Sequence, residues 1–403
     1  MKLLHAPVVP SGLPQLESDL LEQINTNHQY LSELIAAQDQ QFLPFDQWMH
    51  HVLYAPQTGY YSGGSTKFGS HLPEGDFTTA PELSPLFGQS VAVQITQVLN
   101  HCQSVNVLEF GAGSGALAKV LIESLLAQGI DDLHYFILEV SPSLRARQQA
   151  TLQTHLQRVT WLDALPQGFS GCVIANEVLD AMPVHLLERS ADGSFLELGV
   201  SFSQTAGPSP FSWAARPAPQ ALQRIAEQRF PDIAGYRSEL NLQAEAWVKG
   251  IGSWLDKGAV LLFDYGFPQR EYYHEQRHEG SLMCHFRHHA HSEALLFPGL
   301  QDVTAHVDFT AMADAALAGG LDVMGYTSQA HFLMNCGIAQ QLERLAPTQD
   351  DDVATAQWAH TIGAAQKLLS EAEMGELFKV LALCKNVDEP LIGFFRGDRR
   401  DRL

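Results

Sequence analysis

Leu108-Glu-Phe-Gly111-Ala-Gly113-Ser-Gly115-Ala116 reads as the end of a strand, a glycine turn and the start of a helix. Glycines let the backbone approach a ligand, and a helix N-terminus offers unpaired N–H groups to a carboxylate or phosphate. Residues 105–110 are β-like, and 116–128 carry Leu117, Val120, Leu121 and Leu125 on one helical face. Gly129 can stop that helix. Further strands are predicted at 134–140, 158–162, 172–175 and, after a long gap, 260–263. Strands that alternate with helical segments imply βαβ units around a parallel sheet. The expected architecture is doubly wound α/β, Rossmann-like, with an N-terminal helical extension and helical insertions.

Outward from this centre, residues 15–55 read as helical, with Leu16, Leu20, Leu21, Ile24, Leu31 and Leu34 near helical spacing. A Gly/Ser/Thr-rich loop spans 57–81, long enough to suggest a working lid. Thr79-Ala-Pro-Glu82 looks like a capping box opening a helix towards Cys102. The 190–255 stretch is Pro/Ala/Gln-rich and then helical, and is expected to be an insertion, a lid or a dimer arm. Residues 303–309 alternate as a strand, 310–385 read as a helical elaboration, and 391–395 are expected to close the sheet. These limits suggest an N-terminal segment over 1–100 and the main domain over 101–403.

The 403 residues carry 24 Lys+Arg against 45 Asp+Glu, a formal charge of −21. That acidity argues against a phosphate-tracking surface, and the first arginine is Arg145, so the N-terminal third is no basic arm and no nucleic-acid partner is expected. Residues 1–14 hold one lysine, no arginine and no long apolar run, so neither a secretory signal nor a transit peptide is expected. No apolar stretch reaches membrane-spanning length, so no membrane insertion is expected. Five scattered cysteines without a C-x-x-C pair suit a reducing compartment. A bacterial cytoplasm is the expected location.

Two cofactors compete for the glycine turn. Gly111, Gly113 and Ala116 satisfy G-x-G-x-x-A, the dinucleotide pattern. Gly115 also suits S-adenosylmethionine, whose carboxylate and amine would lie where a pyrophosphate otherwise sits. In either case Glu139, 28 residues after Gly111, ends the next strand, where a carboxylate can accept both ribose hydroxyls. Asp163, after the third strand, would meet the adenine amino group. Asn176, after the fourth, would orient the donor's amino group. No tyrosine is followed four residues on by a lysine, so one common dehydrogenase pair is missing. The methyl donor is the better reading.

The glycine motif, Glu139-Val-Ser-Pro-Ser-Leu-Arg145 and Asn176-Glu-Val-Leu-Asp-Ala-Met-Pro-Val-His185 together resemble the MidA-like methyltransferases. These are similar to the mitochondrial complex I assembly arginine methyltransferase. The likeness continues upstream through Gly59-Tyr-Tyr61 and 75–88. Downstream it takes in Phe263-Asp-Tyr-Gly266, 302–309 and 374–380. It implies a class I fold, S-adenosylmethionine as donor, and an arginine acceptor on a partner protein, a complex I subunit in the eukaryotic member. Whether the chain also forms a homodimer stays open.

An arginine acceptor, with a pKa above about 12, is almost always cationic, so carboxylates are needed to hold its guanidinium fork. Glu177 and Asp180, three residues apart beyond the fourth strand, are the expected acceptor groups; Asp180 as a turn cap is the plainer alternative. Asp76, in Gly75-Asp-Phe, is expected to act from the N-terminal loop, and His306 to line the acceptor pocket. Glu82 either acts from the same loop or has a plain structural role in the capping box, and Tyr60 and Tyr61 either stack on adenine or simply pack. His285 and His289 have the i, i+4 spacing of a helical metal pair. No cysteine or carboxylate completes a recognisable motif there, and no metal is expected. Three alternatives remain: an assembly factor that only retains the donor pocket, an NAD-dependent oxidoreductase, and a small-molecule methyltransferase.

Overall fold

Five parallel strands carry the centre of the computed structural model, which describes residues 12–14, 16–63, 79–202, 210–347 and 352–403. They are Asn106–Phe110 (β1), His134–Leu138 (β2), Val159–Leu162 (β3), Phe169–Asn176 (β4) and Leu255–Phe267 (β5). Asp322–Ser328 (β6) and Phe378–Lys385 (β7) complete the order β6-β7-β5-β4-β1-β2-β3. β7 alone of these seven runs antiparallel to its neighbours β5 and β6. Val107, Leu108, Val173, Ile174 and all of residues 259–263 are buried, as strands covered on both faces require.

The chain divides into two units. The sheet just described belongs to the unit of Thr78–Val178, Glu245–Pro268 and Asp308–Leu403. Its helices include Pro85–Cys102 (α1), Ala116–Ala127 (α2) and Pro142–Thr151 (α3). Met1–Phe77, Leu179–Ala244 and Gln269–Val307 form the other unit. There the N-terminal helices Ser18–Ala36 and Phe45–Tyr54 accompany a sheet ordered Phe42–Pro44, Phe195–Phe202, His185–Arg189, Arg237–Leu240, with Phe211–Pro217 also paired to Phe195–Phe202. Residues 190–255 are therefore largely strand before they turn helical. Cross-strand partners such as Glu197 and Arg216 explain the change, because polar pairs hide the alternation.

Several local expectations are overturned, each for a physical reason. The helix expected over 79–102 breaks at Ser84, because Pro85 holds the preceding residue extended (ψ 140°). Ser84 then caps α1, its Oγ accepting the Leu86 N–H at 3.2 Å. The strand expected over 303–309 also breaks: Ala305 N–H donates to the Asp180 carbonyl. Asp308 instead caps a helix, accepting from Ala311 at 3.1 Å. Residues 391–395 contain only the turn Ile392–Phe394, and β6 and β7, hidden among the helices of 310–385, complete the sheet with β6 at its edge.

His285 and His289 do not share a helix face. They lie on the hairpin Met283–Phe286 and His289–His291, where His285 pairs with Ala290 and His289 with Phe286. The two histidines thus face opposite sides. Arg287 and His288, with φ of 46° and 64°, make its two-residue turn.

Two helices of the larger sheet's unit touch backbone to backbone. A Cβ on Gly252, in Leu242–Trp254, would overlap the Gly319 carbonyl oxygen at the end of Phe309–Ala318. Gly252→Ala is therefore expected to destabilise by about 1–3 kcal/mol, read from the midpoint of urea unfolding.

Candidate active site

Beyond β1 the backbone turns left-handed three times in five residues, at Gly111 (φ 62°), Gly113 (φ 52°) and Gly115 (φ 84°). Side chains are strained there, and a Cβ on Gly115 would come within 3.3 Å of the Gln148 Cα. The loop is held by hydrogen bonds on all sides. Gly111 N–H donates to Leu138 O at 3.1 Å, Gly115 N–H to Ala112 O at 2.8 Å, and Thr151 Oγ1 to Ser114 O at 2.8 Å. Ser114 Oγ donates to the Glu82 carboxylate. Glu82 is thus no capping-box partner: Thr79 makes no side-chain cap, and the carboxylate anchors the glycine loop instead.

Glu139 follows β2, its Oε1 accepting the Ser141 N–H and its Oε2 accepting Gln148 Nε2, both at 2.9 Å. Burial pushes its pKa up, against the pull of these hydrogen bonds. Gln148 was not singled out by the sequence, yet it is fully buried and ties three elements together. Its Nε2 also donates to Gly113 O at 3.1 Å, while its Oε1 accepts Trp161 Nε1 at 2.9 Å. The available signal was a lone amide on the inner face of α3, where it is the buried residue. Val140, beside Glu139, leaves its side chain 73% exposed. Asp163, after β3, is 86% exposed and pairs with Arg145 at 2.7 Å.

Beneath Glu139 lies a carboxyl that the sequence reading also missed. Glu109, inside β1, accepts from Tyr135 Oη at 2.7 Å. Burial pushes its pKa up to about 7; the Tyr135 hydrogen bond opposes this, and the Glu139 charge adds to it.

β4 ends at Asn176 and Glu177. Glu177 N–H donates to Phe263 O at 2.9 Å, continuing the parallel ladder, but its φ of 52° is left-handed. A non-glycine residue there costs on the order of 1–3 kcal/mol, a cost concentrated at functional sites. Asn176 Nδ2 donates to Glu177 Oε1 at 3.2 Å, while its Oδ1 is enclosed without a hydrogen-bond partner among the described residues. The strand order reverses between β1 and β4, and ligands bind outside the carboxyl ends of strands at such a switch point. Gly111, Gly113, Gly115, Glu139, Asn176 and Glu177 gather at those ends, with Asp163 at the end of β3.

Other expected site residues belong to the second unit. Asp180 is buried, and its carbonyl accepts from Ala305 at 3.0 Å, one residue before His306. His306 is half-buried, its own N–H donating to Ser281 Oγ at 3.1 Å. Tyr60 is packed in the core, and Tyr61 Oη donates to both Asp302 oxygens at 3.0 and 3.1 Å. Burial holds the Tyr61 phenol well above its ordinary pKa, and the Asp302 and Asp180 charges add to the effect. Both tyrosines therefore pack. Asp76 lies outside the described residues.

The antiparallel β7 between β5 and β6 departs from the all-parallel order of dinucleotide-binding sheets. A family model described as "Putative S-adenosyl-L-methionine-dependent methyltransferase" matches residues 90–327, more than half of the chain. The chain belongs to that family. A superfamily member from Burkholderia thailandensis, whose crystal structure is bound to S-adenosyl-homocysteine, is 44% identical to the methyltransferase. The match covers 97% of this chain and 100% of that one, with a TM-score of 0.90. The mitochondrial protein arginine methyltransferase NDUFAF7 homolog of Drosophila melanogaster is 28% identical, covering 87% of this chain and 85% of its own length. The mitochondrial protein arginine methyltransferase NDUFAF7 of Homo sapiens is 26% identical, covering 84% of this chain and 79% of its own length.

S-adenosylmethionine is the donor, and the residues present fit it. The orphaned Asn176 Oδ1 can accept from an ammonium, the α2 N-terminus behind the glycine turn suits a carboxylate, and Glu139 suits two hydroxyls.

Gln148→Leu removes the hydrogen bonds that position Glu139 and the loop. It is expected to weaken S-adenosyl-homocysteine binding by about tenfold in calorimetry, at roughly unchanged circular dichroism. Glu109 gives a second expectation. Its folded pKa is raised, so its stabilising contribution is complete below the unfolded value of about 4.5 and is lost as pH rises through about 7. Glu109→Gln should flatten the decline of the thermal midpoint across that window.

Proposed function

We propose that this methyltransferase methylates an arginine side chain of a partner protein, a subunit of the complex I type, in the bacterial cytoplasm. The observation that carries the acceptor reading is Glu177, a carboxylate held left-handed where a central strand ends. Relatives described as protein arginine methyltransferases, aligned over 84–87% of the chain, support it. Five buried cysteines without a disulfide suit a reducing compartment. Among the described residues no helix is long and apolar enough to cross a membrane.

When bound, S-adenosylmethionine supplies an electrophilic methyl group on its sulfonium. The turn at Gly111, Gly113 and Gly115 lets its carboxylate approach the backbone at the α2 N-terminus, Asn176 accepts from its ammonium, and Glu139 accepts from its ribose hydroxyls. Asp163 and the exposed Val140 meet the adenine. Glu177 grips the guanidinium fork, fixes the attacking nitrogen in line, and accepts the proton that this nitrogen releases. Asp180, Asp76 and His306 keep the acceptor-side roles that their sequence context suggests, each read by its own substitution.

Glu177→Gln is expected to abolish methylarginine formation on the partner, followed by mass spectrometry in a complemented deletion strain. S-adenosyl-homocysteine should still bind within about threefold of wild type, because Glu177 serves the acceptor. Equal loss of binding and methylation would assign Glu177 to the donor. Methylation left intact would remove it from the chemistry.

A further inference from the structure

Asp46, His185 and Glu197 meet away from the glycine loop, wholly within the unit that holds the antiparallel sheet. Asp46 lies in the first turn of the helix Phe45–Tyr54, His185 opens the strand His185–Arg189, and Glu197 lies on Phe195–Phe202. Leu187 pairs with Glu197, so His185, two residues earlier, shares the face of the sheet that bears Glu197.

The distances are those of loose ion pairs and long for hydrogen bonds. His185 Nδ1 stands 3.5 Å from Asp46 Oδ1 and 3.7 Å from Glu197 Oε1, at or beyond the limit of a hydrogen bond. Asp46 Oδ1 and His185 Nδ1 are nevertheless enclosed from solvent, with no hydrogen-bond partner among the described residues. All three donor atoms lie within 4.8 Å of one another. Ligand bonds of about 2.0–2.2 Å place the corners of a tetrahedron about 3.3–3.6 Å apart, close to the two distances found here.

The surroundings complete the case. Arg216 grips only the other oxygen of Glu197, with Nε at 2.8 Å and Nη2 at 2.7 Å from Oε2, and its guanidinium lies 4.5 Å over the Phe42 ring. That grip orients the carboxylate and leaves Oε1 turned to the histidine, the part that outer partners play for metal ligands. A cleft of about 230 Å³, lined by Asp46, His50, His51, His185 and Gln243 among others, gives room for water as a fourth ligand. One imidazole and two carboxylates suit a borderline divalent ion and not a hard one such as Mg²⁺.

We propose that Asp46, His185 and Glu197 bind one divalent cation of the Zn²⁺ class, which pins the helix Phe45–Tyr54 to the strands beneath it. The ion is a structural staple and takes no part in methyl transfer, so the site stands or falls apart from the arginine reading.

The test uses the full chain, stripped with chelator and titrated with Zn²⁺ by calorimetry and with Co²⁺ by visible absorption. One equivalent of each should bind, Co²⁺ with the intense bands of a tetrahedral site, and Zn²⁺ should raise the thermal midpoint. His185→Ala and the isosteric Asp46→Asn should each weaken binding by at least about tenfold. Circular dichroism shows that each variant folds, and Asp46→Asn decides if His185→Ala does not. Absence of saturable binding by wild type overturns the proposal. So does binding that survives both variants, or binding lost in His289→Ala, which would move the ion to the histidine hairpin.

Discussion

Three left-handed residues in five, at Gly111, Gly113 and Gly115, form the constraint on which the donor half depends. Only glycine takes that path without strain, and the path brings the α2 N-terminus round behind β1. A turn so free of side chains has little packing of its own. Its shape comes from neighbours: Glu82 through Ser114, Thr151 through the Ser114 carbonyl, and Gln148 through the Gly113 carbonyl. Gln148 also holds Glu139, so one amide sets both the loop and the carboxylate at the end of β2. Loop and acid thus move as a single preorganised piece, which spares binding the entropy of ordering them separately.

This coupling explains why the donor half was legible and its support was not. A glycine cluster between an apolar run and a periodic helix has a local signature, as does an acidic residue at the end of the next strand. Glu139, Asn176 and Glu177 emerged from that logic because each lies at the carboxyl end of a strand. Gln148 has no such mark, since its partners Gly113, Glu139 and Trp161 come from three separate elements. Glu109 was equally hidden: an acid within an apolar strand looks like noise until Tyr135 is found opposite it. Among the elements, β7 was lost because Phe378–Cys384 is buried on both faces and so shows no alternation. The pairing of Phe42–Pro44 with Phe195–Phe202 spans some 150 residues of chain, beyond the reach of any periodicity.

Buried carboxylates in this chain divide by how their oxygens are used. Glu239 accepts from Ser281 N, Leu282 N, Ser281 Oγ, Tyr272 Oη and Ser238 Oγ, a set that satisfies it completely. That is a structural knot, fixing residues 272–282 to the strand Arg237–Leu240. Glu197 is half used: Arg216 takes one oxygen and leaves the other facing His185. Glu109 is used by one phenol and held near neutrality by burial. Satisfaction alone would make Glu239 the most important of the three, yet full satisfaction leaves no valence for a ligand.

Glu177 is set apart by its backbone. Other left-handed side chains have local explanations: Gln103 terminates α1, and Arg287 and His288 turn a hairpin. Glu177 follows the last residue of a central parallel strand and still donates its N–H to Phe263 O where the chain bends away. A strand that simply continued would send its side chain to one face of the sheet. Turning left-handed at the last ladder bond redirects the carboxylate while keeping the bond, and Asn176 Nδ2 then meets its Oε1. The conformation costs on the order of 1–3 kcal/mol, a cost that is found concentrated at functional sites. Beside it, the enclosed Asn176 Oδ1 has no hydrogen-bond partner among the described residues. Two adjacent residues, one left-handed and one with an enclosed oxygen unpartnered among the described residues, stand at the strand end where the sheet order reverses, the place where open α/β sheets bind their ligands.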